Sequence, residues 1–451
     1  MRLSKNNNPK LALLTIMVSI SFSGNIFASK LSGINNNSTP LKQPTEIVSS
    51  NGKINLNSVN KSLTIDILPA VSHGQFKISH NKYDKFNVSE NGIKINNATN
   101  NPANIIITEV ISAEKSNING NIAILGNNKP QLIIANPNGI NCSNHCSFTN
   151  ADRVSLVTYP IETKIPSNHL TNNIRGKHIH FKNIKQGKFT DAKTIQLLAR
   201  SVTLESSHLN VNNITIAVHD THIISNIFTT INNINATKFI NITDDILQNI
   251  ILAKNANLTI DSHSAINSKY SHYTIKNGIF NNAGTLFSNK NSHYEITNGE
   301  FYNNGTINNT EILVITGINS TIDNQEKIKS KNSHFLIRNG KFNNNGTIQN
   351  TEIAEIFADN ADINNQSKIK SKIGLYEIKD GTFYNSGIMD HSQKVTIKGN
   401  NAYIVNQFIL TSPKYDLTKL KSSKFLDFSF VLPHKRNANS NIELDLSKNI
   451  M

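Results

Sequence analysis

The sequence predicts an all-β chain whose second half winds as a right-handed parallel β-helix, and three observations carry that reading. A segment recurs four times, at 271–284, 292–305, 333–346 and 375–387. Each copy alternates apolar and polar residues up to an Asn-Gly or Asp-Gly pair, then sets an aromatic residue ahead of a second turn. The shared glycines Gly278, Gly299, Gly340 and Gly381 stand 21, 41 and 41 residues apart. That is the spacing of a solenoid unit with one intervening coil that has drifted in each long gap. Helical periodicity is nearly absent elsewhere, and β-branched runs at 63–68, 104–111, 121–125 and 131–134 are separated by Asn, Gly and Pro turns. Finally, 451 residues that are 37% hydrophobic and 7% aromatic, with no Trp and much Asn, suit coils with a thin apolar core and many polar turns.

At the N-terminus Lys5 and Lys10 precede the apolar run 11–20, and the chain then reaches Ala28, a pattern expected of a secretory signal over 1–28 cut before Ser29. The run is shorter than the roughly 20 residues that span a bilayer, and no later stretch is long enough, so no stable transmembrane segment is expected. Residues 29–60 are polar and begin loosely, with a short strand over 53–56. The segments 191–199 and 244–252 are the best candidates for a short helix, and both read equally well as strands. Beyond the repeats, which occupy 261–412, the tail 413–451 breaks the pattern. The formal charge is +15, of which Arg2, Lys5 and Lys10 of the leader supply three. A basic surface of this size favours anionic partners such as lipopolysaccharide, sulfated glycans or phospholipid headgroups. Nucleic acid is not expected, since no winged helix, RNP motif or zinc pattern accompanies the charge.

The densest local signal is Asn136-Pro137-Asn138-Gly139-Ile140, followed by Cys142 and Cys146. Pro137 fixes one backbone dihedral, and Gly139 and the two asparagines tolerate positive ones. The five residues are therefore expected to form a rigid bend between buried strands at 131–134 and 153–157. In an oxidising compartment the two cysteines are expected to close one local disulfide worth about 2 kcal/mol. A metal held by them and His145 would need a further ligand, and the Cys-x3-Cys spacing lacks the βαβ surroundings of a redox motif.

These residues resemble the signature of two-partner-secretion exoproteins, the filamentous haemagglutinin and haemolysin family. The order of further matches extends the resemblance: Ser79-His80-Asn81-Lys82-Tyr83, then Phe86-Asn87-Val88 and Asn91-Gly92-Ile93, then Asn117-Ile118-Asn119-Gly120, Arg153-Val154-Ser155-Leu156 and Leu197-Leu198-Ala199-Arg200. The family's second motif, NPNL, corresponds here to Asn101-Pro102-Ala103-Asn104, and its usual Cys-x2-Cys carries one extra residue. The resemblance implies a capping secretion domain over 29–260, with 136–140 and the altered 101–104 as secretion motifs. It also implies an outer-membrane transporter as obligate partner, and an exoprotein that leaves a Gram-negative cell through the periplasm to be secreted or held at the surface.

No cofactor is expected and no enzyme. GxSxG, HExxH, P-loop and dinucleotide fingerprints are missing, and the repeats carry acids only at non-equivalent positions such as Glu300 and Asp380. His272, His293 and His334 recur with the coils and read first as a solvated column, with a metal or haem site as the alternative; His178 and His180 share one strand face and read as surface residues. Three functions remain: an adhesin-like surface binder, first; a cytolysin of the same family; or a shortened, exported remnant.

Overall fold

The computed structural model describes residues 44–50, 56–59, 62–161, 177–185, 187–218 and 256–428. The expected signal 1–28, residues 53–55 of the strand expected at 53–56, the candidate helix 244–252 and residues 429–451 of the expected tail 413–451 lie outside the described residues; within that tail Tyr415–Lys421 and Lys424–Asp427 pair in parallel with the preceding coil. Among the described residues there is no helix, and the strands assemble into sheets of 20, 13 and 5 strands. The other candidate helix is a strand, Thr194–Ala199, because Ile195, Leu197 and Ala199 fill one face of a parallel ladder that helical periodicity would have broken up.

The fold is a parallel β-helix. Among the described residues its antiparallel pairs all lie before residue 88: Glu46–Ser49 and Val71–His73 against Phe76–Asn87, and Leu56–Val59 against Ser62–Asp66. Every later pairing of described strands is parallel and links one coil to the next. The antiparallel strands cover one end of the stack, which would otherwise present unpaired backbone groups. No break separates the early coils from the repeats, since Ser201–Glu205, Ala256–Ile260 and Gly278–Asn282 pair in succession.

The two halves differ in how their largest sheet is buried. In the repeats only alternate residues are inside, as in Ile312–Ile318, and the other face meets solvent. Earlier, Ile105–Val110, Arg153–Val157 and Thr194–Ala199 are buried on both faces. Their outer face packs Ile105, Ile107, Ile133, Val157 and Leu198 beneath Tyr159, Ile161 and Phe76, which explains their near-continuous apolar sequence.

The 41-residue gaps are pairs of coils that alternate in kind. In register, Tyr273, Tyr294, Ile315, Phe335, Ile356, Tyr376 and Ile397 form one interior column. Phe280, Phe301, Ile322, Phe342, Ile363, Phe383 and Ile404 form a second. A left-handed corner persists through every coil, at Asn277, Asn298, Asn319, Asn339, Asn360, Asp380 and Asn401, with φ between 49° and 53°. The glycine after it is replaced by Ser320, Ala361 and Ala402 in the drifted coils.

Two amide ladders run along the repeats in opposite senses. Inside, each Nδ2 donates forward to the next Oδ1: Asn282 to Asn303, Asn324, Asn344, Asn365, Asn385 and Asn406, and finally to Asp427, at 2.5 to 2.9 Å. These asparagines are buried, so each bond replaces water that the core excludes. At the left-handed corner the donors point back, from Asn298 to Asn277, Asn319 to Asn298, Asn360 to Asn339 and Asn401 to Asp380.

A third column holds Ser288, Asn309, Ser330, Asn350, Ser371 and His391. His391 is 1% exposed, with Nδ1 2.7 Å from Ser371 Oγ and Nε2 3.0 Å from Tyr376 Oη. Its ring occupies the space a Cβ on Gly374 would need, 2.6 Å away. Burial pulls its pKa from 6.5 down to about 4. The unfolded chain thus takes up this proton near pH 6.5 and the folded chain only near 4. Stability is whole above pH 6.5, falls as the pH drops from 6.5 to 4, and stays at the lower level below that. The expected loss is about 3 kcal/mol, read from urea unfolding at pH 7 and pH 4. His391→Asn, which installs the residue already used at Asn309 and Asn350, is expected to remove that component; an unchanged pH profile in the variant would exclude it.

Candidate functional site

The site is built on one corner of an early coil. Gln131–Ala135 runs into it and Ile140–Ser143 leaves it. The strand Arg153–Val157 is the parallel neighbour of Gln131–Ala135 in the next coil. The turn therefore does not join those two strands directly, as the sequence had implied; 140–149 complete a coil in between. Gly139 N donates to Asn136 O at 3.0 Å, closing a four-residue turn with Pro137 in its second place. Of the residues expected to adopt positive φ, only Gly139 does, at 114°. Asn136 and Asn138 act through their amides instead. Asn136 is fully buried. Its Oδ1 accepts from Asn138 N at 2.9 Å, and its Nδ2 donates to Glu114 O at 3.0 Å and Ser116 Oγ at 2.9 Å. Asn138 Nδ2 donates to Ser112 O at 2.6 Å. The two asparagines thus tie the turn to the preceding coil, and Ile140 anchors its exit in the core.

A disulfide joins Cys142 and Cys146, with Cα atoms 5.4 Å apart, across a turn in which Asn144 has φ 55°. Both sulfurs lie in the core, while His145 is exposed. The segment 101–104 lies at the opposite end of the same sheet. Asn104 precedes Ile105–Val110, whose partner Gln131–Ala135 carries Asn136 at its far end, so the two motifs are separated by a strand length, ~17 Å. Ala103 is fully buried, its N–H donating to Asn97 Oδ1 at 2.8 Å and its carbonyl accepting from Asn97 and Asn128. Asn101 Nδ2 and Asn104 Oδ1 tie this segment to Ala70 and Lys77.

Two features escaped the sequence. The first is a lock on the doubly buried face: His80 Nε2 lies 2.7 Å from Glu109 Oε2, and Glu109 Oε1 accepts from Ile161 N at 2.8 Å. Burial pushes the Glu109 carboxyl up, but the hydrogen bonds from His80 and Ile161 and the charges of His80 and Lys82 more than offset it, and its pKa lies below the usual value. The sequence placed His80 and Lys82 in one motif and Glu109 in a separate strand run, with nothing to join them. The second is a cavity of about 310 Å³ beside the motif, lined by Lys115, Asn138, Lys177, His178, Arg200 and Asn257 among others. Partial burial, then the charges of His180 and Lys115, hold the His178 pKa below the ordinary imidazole value. His178 and His180 face each other edge to face at 5.9 Å.

The repeating histidines share a column, but it is interrupted: His272 and His293 stack at 4.9 Å, Val314 follows, and then His334, whose Nδ1 lies 2.5 Å from Glu355 Oε2. Stacked parallel rings do not converge on a point as metal ligands must.

The TPS secretion domain family model matches residues 42–298. Among curated proteins, the 16S rRNA endonuclease CdiA of Enterobacter cloacae subsp. cloacae is 36% identical over 114 residues, 21% of this chain and 3% of that protein. The hemolysin of Serratia marcescens is 34% identical over 134 residues, 25% of this chain and 8% of that protein. The chain therefore spans only a small part of the length of these relatives. Among solved structures, the filamentous hemagglutinin secretion domain aligns with a TM-score of 0.42 at 16% identity, over 72% of this chain and 99% of the other.

Proposed function

The chain belongs to the TPS secretion domain family, and from that premise we propose that it is exported across the outer membrane of a Gram-negative cell by a partner transporter and then works as an adhesin-like surface binder. The family match over 42–298 is the observation that supports export. The motif corner is proposed as the element that transport depends on, with Cys142–Cys146 and the 101–104 segment as braces of the same domain. The division into a secretion domain over 29–260, repeats over 261–412 and a tail is kept as part of this proposal. The repeats are given the binding role because their solvent-facing strands are long, polar and charged, while their interior is committed to packing. A cytolytic role is the second reading, favoured by the hemolysin among the relatives. No catalytic step is assigned to the chain.

Co-expression with a candidate transporter and an immunoblot of the medium tests export. The chain is expected in the medium only when the transporter is present. Periplasmic retention with every transporter tried would overturn the proposal. Applied to erythrocytes, exported protein that binds without releasing haemoglobin supports the adhesin; lysis supports the cytolysin.

A further inference from the structure

We propose that the cavity beside the motif corner binds a phosphorylated sugar through Lys115 and Lys177. Parallel register builds the site from successive coils. Ser116, Ile140, Ile179, Val202 and Leu258 follow one another in a single row, so the residues just before them, Lys115, Gly139, His178, Ser201 and Asn257, make the next row along the same corner. Successive coils stand about 4.8 Å apart, which brings residues distant in sequence around one opening. Among the described residues neither Lys115 nor Lys177 has an acidic partner, and no Asp or Glu lines the cavity. Lys177 Nζ instead donates to Asn138 Oδ1 at 3.3 Å. Along the repeats, by contrast, several lysines are paired with an acid of an adjacent coil, as Lys372 is with Glu352 at 2.9 Å, Lys394 with Asp416 at 3.0 Å and Lys398 with Glu377 at 3.1 Å. Lys115 and Lys177 are instead gathered at one opening with no acid in its lining, which selects an anion.

Size and lining narrow the anion. A volume of about 310 Å³ lies at the low end of the roughly 300–1,000 Å³ range of small-molecule sites, room for a monosaccharide with its ester group and more than a bare oxyanion needs. Around the cations stand the amides of Asn138, Asn141 and Asn257 and the hydroxyl of Ser201, groups that match sugar hydroxyls and offer no apolar floor for an acyl chain or a base. A phosphate between two ammonium groups, with its sugar against the amides, uses both parts of the lining. The inference goes beyond the binding role given to the repeats, since it places a second site on the early coils; it concerns the purified chain and does not depend on export.

The test is titration calorimetry on the purified full chain with glucosamine 1-phosphate, inorganic phosphate and glucose, at low and at 0.5 M salt. Vesicles carrying a phosphorylated glucosamine lipid form a parallel arm. Saturable binding of the sugar phosphate is expected, weaker for either fragment and weakened by salt. Lys115→Gln with Lys177→Gln is expected to lower affinity by about ten-fold or more without moving the melting temperature, and Lys177→Arg to retain binding. Binding in the vesicle arm alone would assign the phosphorylated sugar to a lipid headgroup; binding in both arms would assign it to the sugar phosphate itself. Absence of binding at millimolar concentration in both arms, or equal affinity in the double glutamine variant, would overturn the inference. Should the double variant fold poorly, Lys115→Gln alone carries the same comparison.

Discussion

Replacing Asn136 by leucine is expected to destabilise the early coils by about 3 to 5 kcal/mol, because it strands several buried polar groups at once. Leucine keeps the volume and removes both ends of the amide. The Asn138 N–H, the Glu114 carbonyl and the Ser116 hydroxyl then lose partners that stand at 2.9 to 3.0 Å, the last of these bonds fully buried and the other two partly so. Asn138→Ala gives up the bond to Ser112 O and the exposed one from Lys177 Nζ, both made by a half-buried side chain, and is expected to cost nearer 1 kcal/mol. Urea unfolding midpoints of the two variants measure the difference, and equal midpoints would remove the argument. The comparison also bears on export. A side chain with no exposed surface cannot be touched by a transporter in the folded chain, so an export defect in Asn136→Leu that scales with lost stability marks the residue as a positioning one. A larger export defect in Asn138→Ala than its stability loss would point to the exposed part of the corner as what the transporter reads.

The second large effect is expected in the interior ladder. Asn344→Leu removes a link that accepts from Asn324 and donates to Asn365, both at 2.7 Å. Asn324 Nδ2 keeps its bond to Glu326 O, but its ladder proton and the Asn365 Oδ1 lose their partners inside the core. The cost is expected at about 2 to 4 kcal/mol even after the gain from burying a leucine. Asn343→Leu, one residue away on the outward face, should change stability by about 0.5 kcal/mol or less. Because each coil touches only its neighbours, the damage should be local. Hydrogen exchange should rise in the amides of 322–324, 342–344 and 363–365 in Asn344→Leu and stay as in the parent at 280–303; uniform protection throughout would contradict the ladder's role.

The sequence was most readable where side-chain volume repeats. Phe280, Phe301, Phe342 and Phe383 with their Asn-Gly or Asp-Gly corners announced the coil directly, whereas Ile322, Ile363 and Ile404 in the same column are ordinary strand residues and hid every other turn. The corner at 136–140 was legible because a tight turn needs particular residues in particular places. The actual division of labour, one positive φ at Gly139 and amide bonds from the asparagines, depends on Ser112, Glu114 and Ser116 in the preceding coil. The cationic opening was illegible for the same reason. Lys115, Lys177 and Arg200 belong to three different coils and carry no local motif; only stacking the chain in register sets them side by side.

The interior ladder also gives the coils a direction. Every amide hands its hydrogen onward, so an Asn at the growing edge of a partly folded stack presents a donor that only the next coil can satisfy, and order should spread from the capped end one coil at a time. Among the described residues the relay closes on a carboxylate. Asp427 accepts from Asn406, and its carboxylate has no amide hydrogen to pass on.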